Sequence, residues 1–575
     1  MSGALQPSLF DNDIQDSLSI EECAKSLAVS EATIRNWIKT GYLKLLSKGQ
    51  VSHASLIQFK RDILGKEKLH QRANKSQKDS HNHLLISSDF LAQAQPSQPA
   101  NDFLGDDYEK TLSDSYKNQE GIYYTPAPIV NDLCQIDNTM LENKTFCDPC
   151  CGSGNFLLRA LDLGFKPENL FGFDIDPVAV AIAQKRIFDK TGFINNNIIC
   201  ADFLQLAIHK KTGYYDYIFT NPPWGKKIPK DEKESLSKIL HTGNSLDTCA
   251  LFYFACLNAL NTQGQLGLLL PDAFFNVSAY ADARASALAY QIMRLCDYGK
   301  AFKGLQTGAV GLVLNKQQNE PARPINCLYD NQYFQRTSHS LSHNPNYIFN
   351  LSCTSEEAEV IEHLYNIPHI TLEGHASWGL GIVTGNNTRY LSNTAKPDFV
   401  PVYKGSDITP DGLKTATHFL STDFSQYQQV APLHLYQAKE KLIYKFISSN
   451  LCFFYDTEGR FIINSANLLI TNHNFPISMS LLANLFNSEI MNWLFKKIFN
   501  THKVLRGDLE SLPIHSQFLV NGFFIEADYL NALNIEKTEH GGFRVKAQLN
   551  KLSTHLHLKT AIRHAASPLK EPLPC

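Results

Sequence analysis

Short apolar runs alternate with amphipathic ones between residues 106 and 316, a rhythm that predicts strand–helix–strand units around a parallel sheet. In FCDPCCGSGNFLLRAL the pattern predicts a strand ending at Asp148, a tight Gly-Ser-Gly turn, and a helix from Asn155. A second strand, FGFDIDP, ends at Asp174, and a third, INNNIICADFL, ends at Asp202. The fourth, YDYIFT, runs into Asn221 and is stopped by Pro222 and Pro223, neither of which can donate to a sheet ladder. Consecutive strands therefore carry polar residues at their carboxyl ends, where an open α/β sheet builds its ligand site, and backbone N–H groups at the helix start face whatever lies over the turn.

Outside this stretch the pattern changes. Residues 17–65 show two short helical patterns joined at AVS, with Ser30 as N-cap and Thr33 behind it. Residues 66–105 are rich in Gln, Ser, His and Asn with a basic start, KEKLHQRANKSQK, and predict a linker able to touch phosphate. Short aromatic-rich strands and a few helices follow to Pro513, and the last sixty residues carry no legible chemistry.

At 575 residues the chain is too long for one core and is expected to divide into roughly three or four domains. The net charge of -3 neither suggests nor excludes a nucleic-acid partner, because a footprint needs clustered basic residues, not an overall excess. Thirteen cysteines, an odd number without a signal peptide, point to reduced thiols in a cytosolic protein. The apolar run TCALFYFACLNAL is cut off by Asn261 and Gly264, so no membrane span is expected. Cys147, Cys150 and Cys151 have metal-ligand spacing but no second pair at finger distance and lie inside the glycine turn, so no metal is expected.

Together DPCCGSG, FDID, ADF and NPPW, preceded by GIYYTPAPIV, resemble the successive motifs of gamma-class, TaqI-like adenine-N6 DNA methyltransferases. The resemblance covers residues of about 118 to 515. It implies a Rossmann-like α/β S-adenosylmethionine-dependent methyltransferase domain with a mixed sheet over 106–345, a C-terminal α+β target-recognition domain over 346–515, and an extension of unknown role over 516–575. Residues 17–65, after a disordered 1–16, resemble the all-α helix-turn-helix of MerR-like and excisionase-like proteins, with Thr33, Arg35, Asn36 and Lys39 facing DNA.

The same resemblance assigns roles by position. Tyr123, Tyr124, Thr125 and Pro126 would close over the cofactor, and Asp148, Pro149, Cys151, Gly152 and Gly154 would line its methionine end. Asp174, with Ile175 beside it, would hold the ribose, and Asp202 and Phe203 would hold the adenine of the cofactor. Asn221, with the Pro222 carbonyl, would accept both hydrogens of the target amino group, while Pro223 keeps that carbonyl rigid. Trp224 and Phe302 would stack on a flipped base. In WGLGIVTGNN, VPVYKGSDI and LLANLFNSEIMNWLFKKIF, which resemble a TaqI-like recognition domain, Lys496, Lys497, Lys503 and Arg506 are candidates for phosphate contacts.

The implied activity is methylation of adenine N6 in duplex DNA by a monomeric enzyme paired functionally with a cognate restriction endonuclease. Protein-glutamine and RNA-base methyltransferases share NPP-aromatic motifs, and an inactive DNA-binding regulator is a rival of another class. No acidic pair with a following Glu-x-Lys suggests a fused nuclease.

Overall fold

The computed structural model describes residues 17–62 except 28, 30, 40, 41 and 48; 125–302 except 137–139, 210–212 and 227; 305; and 307–546 except 410, 411, 520 and 521. The chain divides into two compact units, Met1–Pro271 with Tyr298–Gln317, and Asp272–Asp297 with Gln318–Cys575.

In the first unit, residues 17–62 form β1 (Ser17–Ser19), α1 (Ile20–Ser26), α2 (Glu31–Lys39), β2 (Leu45–Ser47), β3 (Gln50–Ser52) and α3 (His53–Asp62). Ser19 and Glu22 close a capping box on α1, and Cys23, Ile34, Trp37, Val51 and Phe59 make a small core. The module is not all-α, as the helix pattern suggested: β3 pairs antiparallel with both β1 and β2, turning through Gly49 at φ +81°. Ser30, the expected cap of α2, lies outside the described residues.

The main body of this unit comprises α4 (Ala127–Leu133), β4 (Phe146–Asp148), α5 (Asn155–Leu163), β5 (Leu170–Asp174), α6 (Pro177–Thr191), β6 (Ile198–Cys200), α7 (Phe203–His209), β7 (Tyr215–Thr220), α8 (Lys230–Leu240), α9 (Thr248–Ala259) and β8 (Leu260–Pro271). Strand β9 (Tyr290–Gly299), most of which belongs to the second unit, comes next in the chain, and β10 (Ala309–Gln318) follows. The strand order β10-β8-β7-β4-β5-β6 is parallel except for β10, which runs antiparallel to β8 with Ala309 opposite Pro271, so the sheet is mixed. The chain works outward from β4 in one direction through β5 and β6, then returns to β7 on the other side. That reversal opens a crevice at the carboxyl ends of β4 and β7. Helix α9 is buried on every side, as its unbroken apolar sequence requires. Gly267 of β8 allows Phe219 of β7 to lie against the backbone, where a Cβ would sit 2.2 Å from the ring.

In the second unit, β11 (Pro324–Tyr329) runs parallel to β9 and antiparallel to β12 (Gln332–Thr337). A four-stranded sheet is ordered Ala376–Leu380, Ala466–Thr471, Lys441–Lys445, Phe453–Asp456. Helices Met479–Asn487 and Glu489–Phe499 meet at Ser488, which caps the second. Their apolar faces share a core with the helix Ser355–Asn366, and Tyr529, Leu530, Ile535 and Phe543 from beyond residue 515 belong to the same core. The part of the extension within the described residues is thus integral to this unit. Lys441 and Asp456 form an ion pair with both side chains fully buried, and Arg460 joins Asp456 at 2.6 Å. Among the described residues no helix is long and apolar enough to cross a membrane.

Candidate active site

The loop after β4 is the centre of the site. Gly152 (φ +46°) and Gly154 (φ +91°) hold left-handed conformations, and a Cβ on Gly154 would come within 3.1 Å of Ala183 Cβ on α6. Glycine here serves both the turn and the close approach of α5 to α6. Cys151 N–H donates to the Phe173 carbonyl at 2.8 Å, and Gly152 N–H donates to Asp174 Oδ2 at 2.8 Å, which ties the turn to the end of β5.

Two carboxylates meet here. Asp174 also accepts from Asp176 N–H through Oδ1 at 2.9 Å, and burial raises its pKa to about 6. Asp148 is fully buried; its Oδ1 takes the Cys150 N–H, the Thr220 hydroxyl is hydrogen-bonded to it, and burial raises its pKa to about 7 against those bonds. Its Oδ2 has no hydrogen-bond partner among the described residues. A buried acceptor without a partner costs free energy, which a ligand donor or cation recovers.

Asp148, Gly152, Asp174, Asp202 and Asn221 line one cavity of about 250 Å³, together with Thr125, Pro149, Cys151, Ile175, Phe203 and Pro223. Strand β6 stops at Cys200, two residues short of the expected Asp202. The carboxylate instead starts α7, with Oδ1 accepting from Leu204 N–H at 2.9 Å. Phe203 is buried and stacks on Phe252 of α9 at 6.5 Å.

Pro126, Gly154, Pro222, Trp224 and Phe302 are not cavity-lining. Pro126 precedes α4, and Pro222 and Trp224 are buried in the loop after β7. The start of α9 holds that loop: Thr248 Oγ1 donates to the Lys226 carbonyl at 2.8 Å, and Cys249 Sγ donates to the Pro223 carbonyl at 3.7 Å. Trp224 and Phe302, expected to stack on either side of one base, instead lie against each other, edge to face at 5.2 Å with planes 87° apart. Trp224 Nε1 also donates to the Leu269 carbonyl. Tyr123 and Tyr124 lie outside the described residues.

Other residues of the cavity carry weaker signals in the sequence, or none. Asn155, Glu232, Thr248 and Phe252 line the cavity, and buried Arg186 donates to the Ser153 carbonyl behind it. Asn155 had a signal, its place beside the glycine turn. Phe252 had none, because α9 is apolar on all faces.

Elsewhere the expected basic residues differ in their surroundings. In α2, Thr33 is half-buried and Arg35 pairs with Glu31 at 2.7 Å, while the side chains of Asn36 and Lys39 lie outside the described residues. In the second unit Lys496 and Lys503 are exposed. Lys497 pairs with Glu357 at 2.7 Å, and Arg506 pairs with Glu510 at 2.8 Å with its guanidinium over Trp378.

The residues around the cavity fit S-adenosylmethionine: a buried carboxylate oxygen awaits a donor, two carboxylates favour a cation, and a glycine turn leaves backbone space. Residues 99–341 match the N-6 DNA methylase family, and residues 400–514 match the TaqI-like C-terminal specificity domain. The chain is 47% identical over 407 residues to the type II methyltransferase M.VspI of Vibrio sp. (strain 343), a match covering 71% of this chain and 100% of that protein. It is 29% identical over 177 residues to the type II methyltransferase M.AccI of Acinetobacter calcoaceticus, covering 30% of this chain and 31% of that protein. Among solved structures, the type IIL restriction-modification enzyme MmeI in complex with DNA matches at 12% identity and a TM-score of 0.46, covering 72% of this chain and 70% of that one.

Proposed function

This chain belongs to the TaqI-like type II N6 DNA methyltransferases, and we propose that its cavity holds S-adenosylmethionine while Asn221 activates the target adenine. The protein is a DNA N6-methyltransferase of a restriction-modification system, and its family implies S-adenosylmethionine as methyl donor. One observation carries the assignment of the site. Asn221 follows Thr220, whose hydroxyl is bonded to buried Asp148, and the amide lines the same cavity as the Asp148 and Asp174 carboxylates.

The adenine amino nitrogen is a poor nucleophile because its lone pair is delocalised into the ring. Asn221, with the Pro222 carbonyl, accepts the two amino hydrogens and so draws the lone pair out of conjugation. When bound, S-adenosylmethionine supplies an electrophilic methyl group on a sulfonium. Asp148 and Asp174 orient that donor through charge and hydrogen bonding, with Asp148 Oδ2 the acceptor still to be satisfied. Asp202 and Phe203 line the same cavity and would hold the donor's adenine. The prolines and the bonds from Thr248 and Cys249 keep the Asn221 loop in place, and such positioning of reactants contributes several kcal/mol to catalysis.

For duplex DNA this geometry requires the adenine to leave the stack, with Trp224 and Phe302 as its apolar partners. The TaqI-like domain approaches the major groove, and exposed Lys496 and Lys503 make no ion pair among the described residues, unlike Lys497 and Arg506, so they lead among the phosphate contacts. We further propose that the enzyme acts as a monomer in the bacterial cytoplasm, protects sites cut by a separately encoded endonuclease, and uses residues 1–70 to bind an operator in its own operon. An Asn221→Ala variant tests the central role: it keeps binding both cofactor and DNA but loses methyl transfer, and near-normal turnover would remove Asn221 from the mechanism.

A further inference from the structure

Asn155, the first residue of α5, is tied on both sides. Its Oδ1 accepts from Arg186 Nη1 at 2.9 Å, and its Nδ2 donates to the Thr125 carbonyl at 3.0 Å. A guanidinium only donates, so the amide oxygen must face Arg186 and the NH₂ must face Thr125; the carboxamide has one orientation. Arg186 is itself held, since Nη1 donates to the Ser153 carbonyl at 2.6 Å and approaches Ser153 Oγ at 3.3 Å. Both Arg186 and Ser153 are buried, so the charge polarises these bonds in a medium that screens them little.

Among the described residues, the segment reached by this relay is otherwise held where the Pro126 carbonyl accepts from the Ile129 and Val130 N–H groups. Thr125 is buried and lines the cavity, and Pro126 begins α4 without a side-chain cap. The far end of α4 is anchored separately, where the Tyr298 hydroxyl donates to Asp132 Oδ2 at 2.8 Å. We infer that Asn155 is a positioning residue, oriented by Arg186, that latches the Thr125–Pro126 segment against the glycine turn and thereby sets cofactor affinity. The inference rests on the cavity being the S-adenosylmethionine site.

Asn155→Asp is the informative variant. It keeps the acceptor for Arg186, and so the buried ion's partner, but replaces the donor to Thr125 with an oxygen that repels that carbonyl. Calorimetry with S-adenosylmethionine is expected to show affinity weakened roughly tenfold, the scale of one hydrogen bond lost. Hydrogen exchange in the ligand-free variant should quicken over residues 125–133, and the Michaelis constant for cofactor should rise by a larger factor than kcat falls. The melting temperature should change little, because the new charge pairing with Arg186 offsets the lost donor. If Asn155→Asp does melt lower, Asn155→Gln provides the second comparison: it restores a donor on a longer arm and should bind cofactor better than the aspartate. Asp174→Ala runs alongside as the control on the site. Unchanged affinity in Asp174→Ala would show that the cavity is not the cofactor site. Weakened binding in Asp174→Ala with unchanged affinity or unchanged exchange in Asn155→Asp would overturn the latch alone.

Discussion

Cofactor affinity should depend steeply on pH, and Asp148 should be the main reason. Burial raises the pKa of Asp148 to about 7 and that of Asp174 to about 6, so in the ligand-free protein both carboxyls take up protons as the pH falls through that range. S-adenosylmethionine carries a sulfonium and an ammonium and favours the ionised carboxylates, so every proton held must be released on binding. For one such group the dissociation constant rises by the factor 1 + 10^(pKa − pH); between about pH 8 and about pH 5 this is roughly a hundredfold for Asp148 and roughly tenfold for Asp174. Asp148→Asn should remove the larger factor, bind more weakly at about pH 8, and keep only the tenfold dependence. The same carboxyls have the opposite effect on the ligand-free fold. Their folded pKa values lie above the unfolded one near 4, so their contribution to stability is greatest at low pH and declines as the pH rises towards about 7. Calorimetry in buffers of different ionisation enthalpy measures both affinity and protons released. A flat affinity across the range, or an unaltered slope in Asp148→Asn, would refute the electrostatic role.

Four further outcomes follow from the packing. Gly267→Ala places a methyl 2.2 Å from the Phe219 ring and should cost about 1–3 kcal/mol or more in urea unfolding. Lys441→Met leaves buried Asp456 with only Arg460 as its charged partner and should destabilise the second unit by about 3 kcal/mol, measured by chemical denaturation. A fragment ending at residue 345 loses the carbonyls of Asn350 and Cys353 that accept from buried Arg336, so its melting should broaden and it should fail to methylate duplex DNA at a specific site. Deleting residues 1–62 should leave methylation nearly unchanged at moderate salt while abolishing repression of a reporter driven by the gene's own promoter; a raised Michaelis constant for DNA with a shallower salt dependence would assign the module to substrate affinity instead.

The parts of the site legible in the sequence were those where one residue type answers one backbone demand. Gly152 and Gly154 announce a turn, Pro222 and Pro223 announce the end of a strand, and Asp148 and Asp174 sit at strand ends where polarity is out of place in a buried sheet. Asp202 was less exact: an Asx cap and a strand end are both read from an aspartate after an apolar run, and here the cap prevails. What depends on distant packing was not legible. Arg186 lies in an ordinary helical stretch, and only the crossing of α6 behind the glycine turn makes it a buried donor. Glu232 sits in KDEKE, which reads as a solvated helix face until α8 is laid beside the cavity. The hairpin of residues 45–52 was hidden by strands only three residues long. Tyr529, Ile535 and Phe543 leave no local period in the sequence, because the core they join is shared with residues far upstream.

The most direct measurement is the chemical identity and position of the methyl group transferred to duplex DNA by the purified protein and by its Asn221→Ala variant, read by nucleoside mass spectrometry and single-molecule sequencing. The expected result is N6-methyladenine at one recurring sequence with the unmodified protein and none with the variant, although the variant still binds S-adenosylmethionine. Methyl groups on another base, or N6-methyladenine formed undiminished by Asn221→Ala, would contradict it.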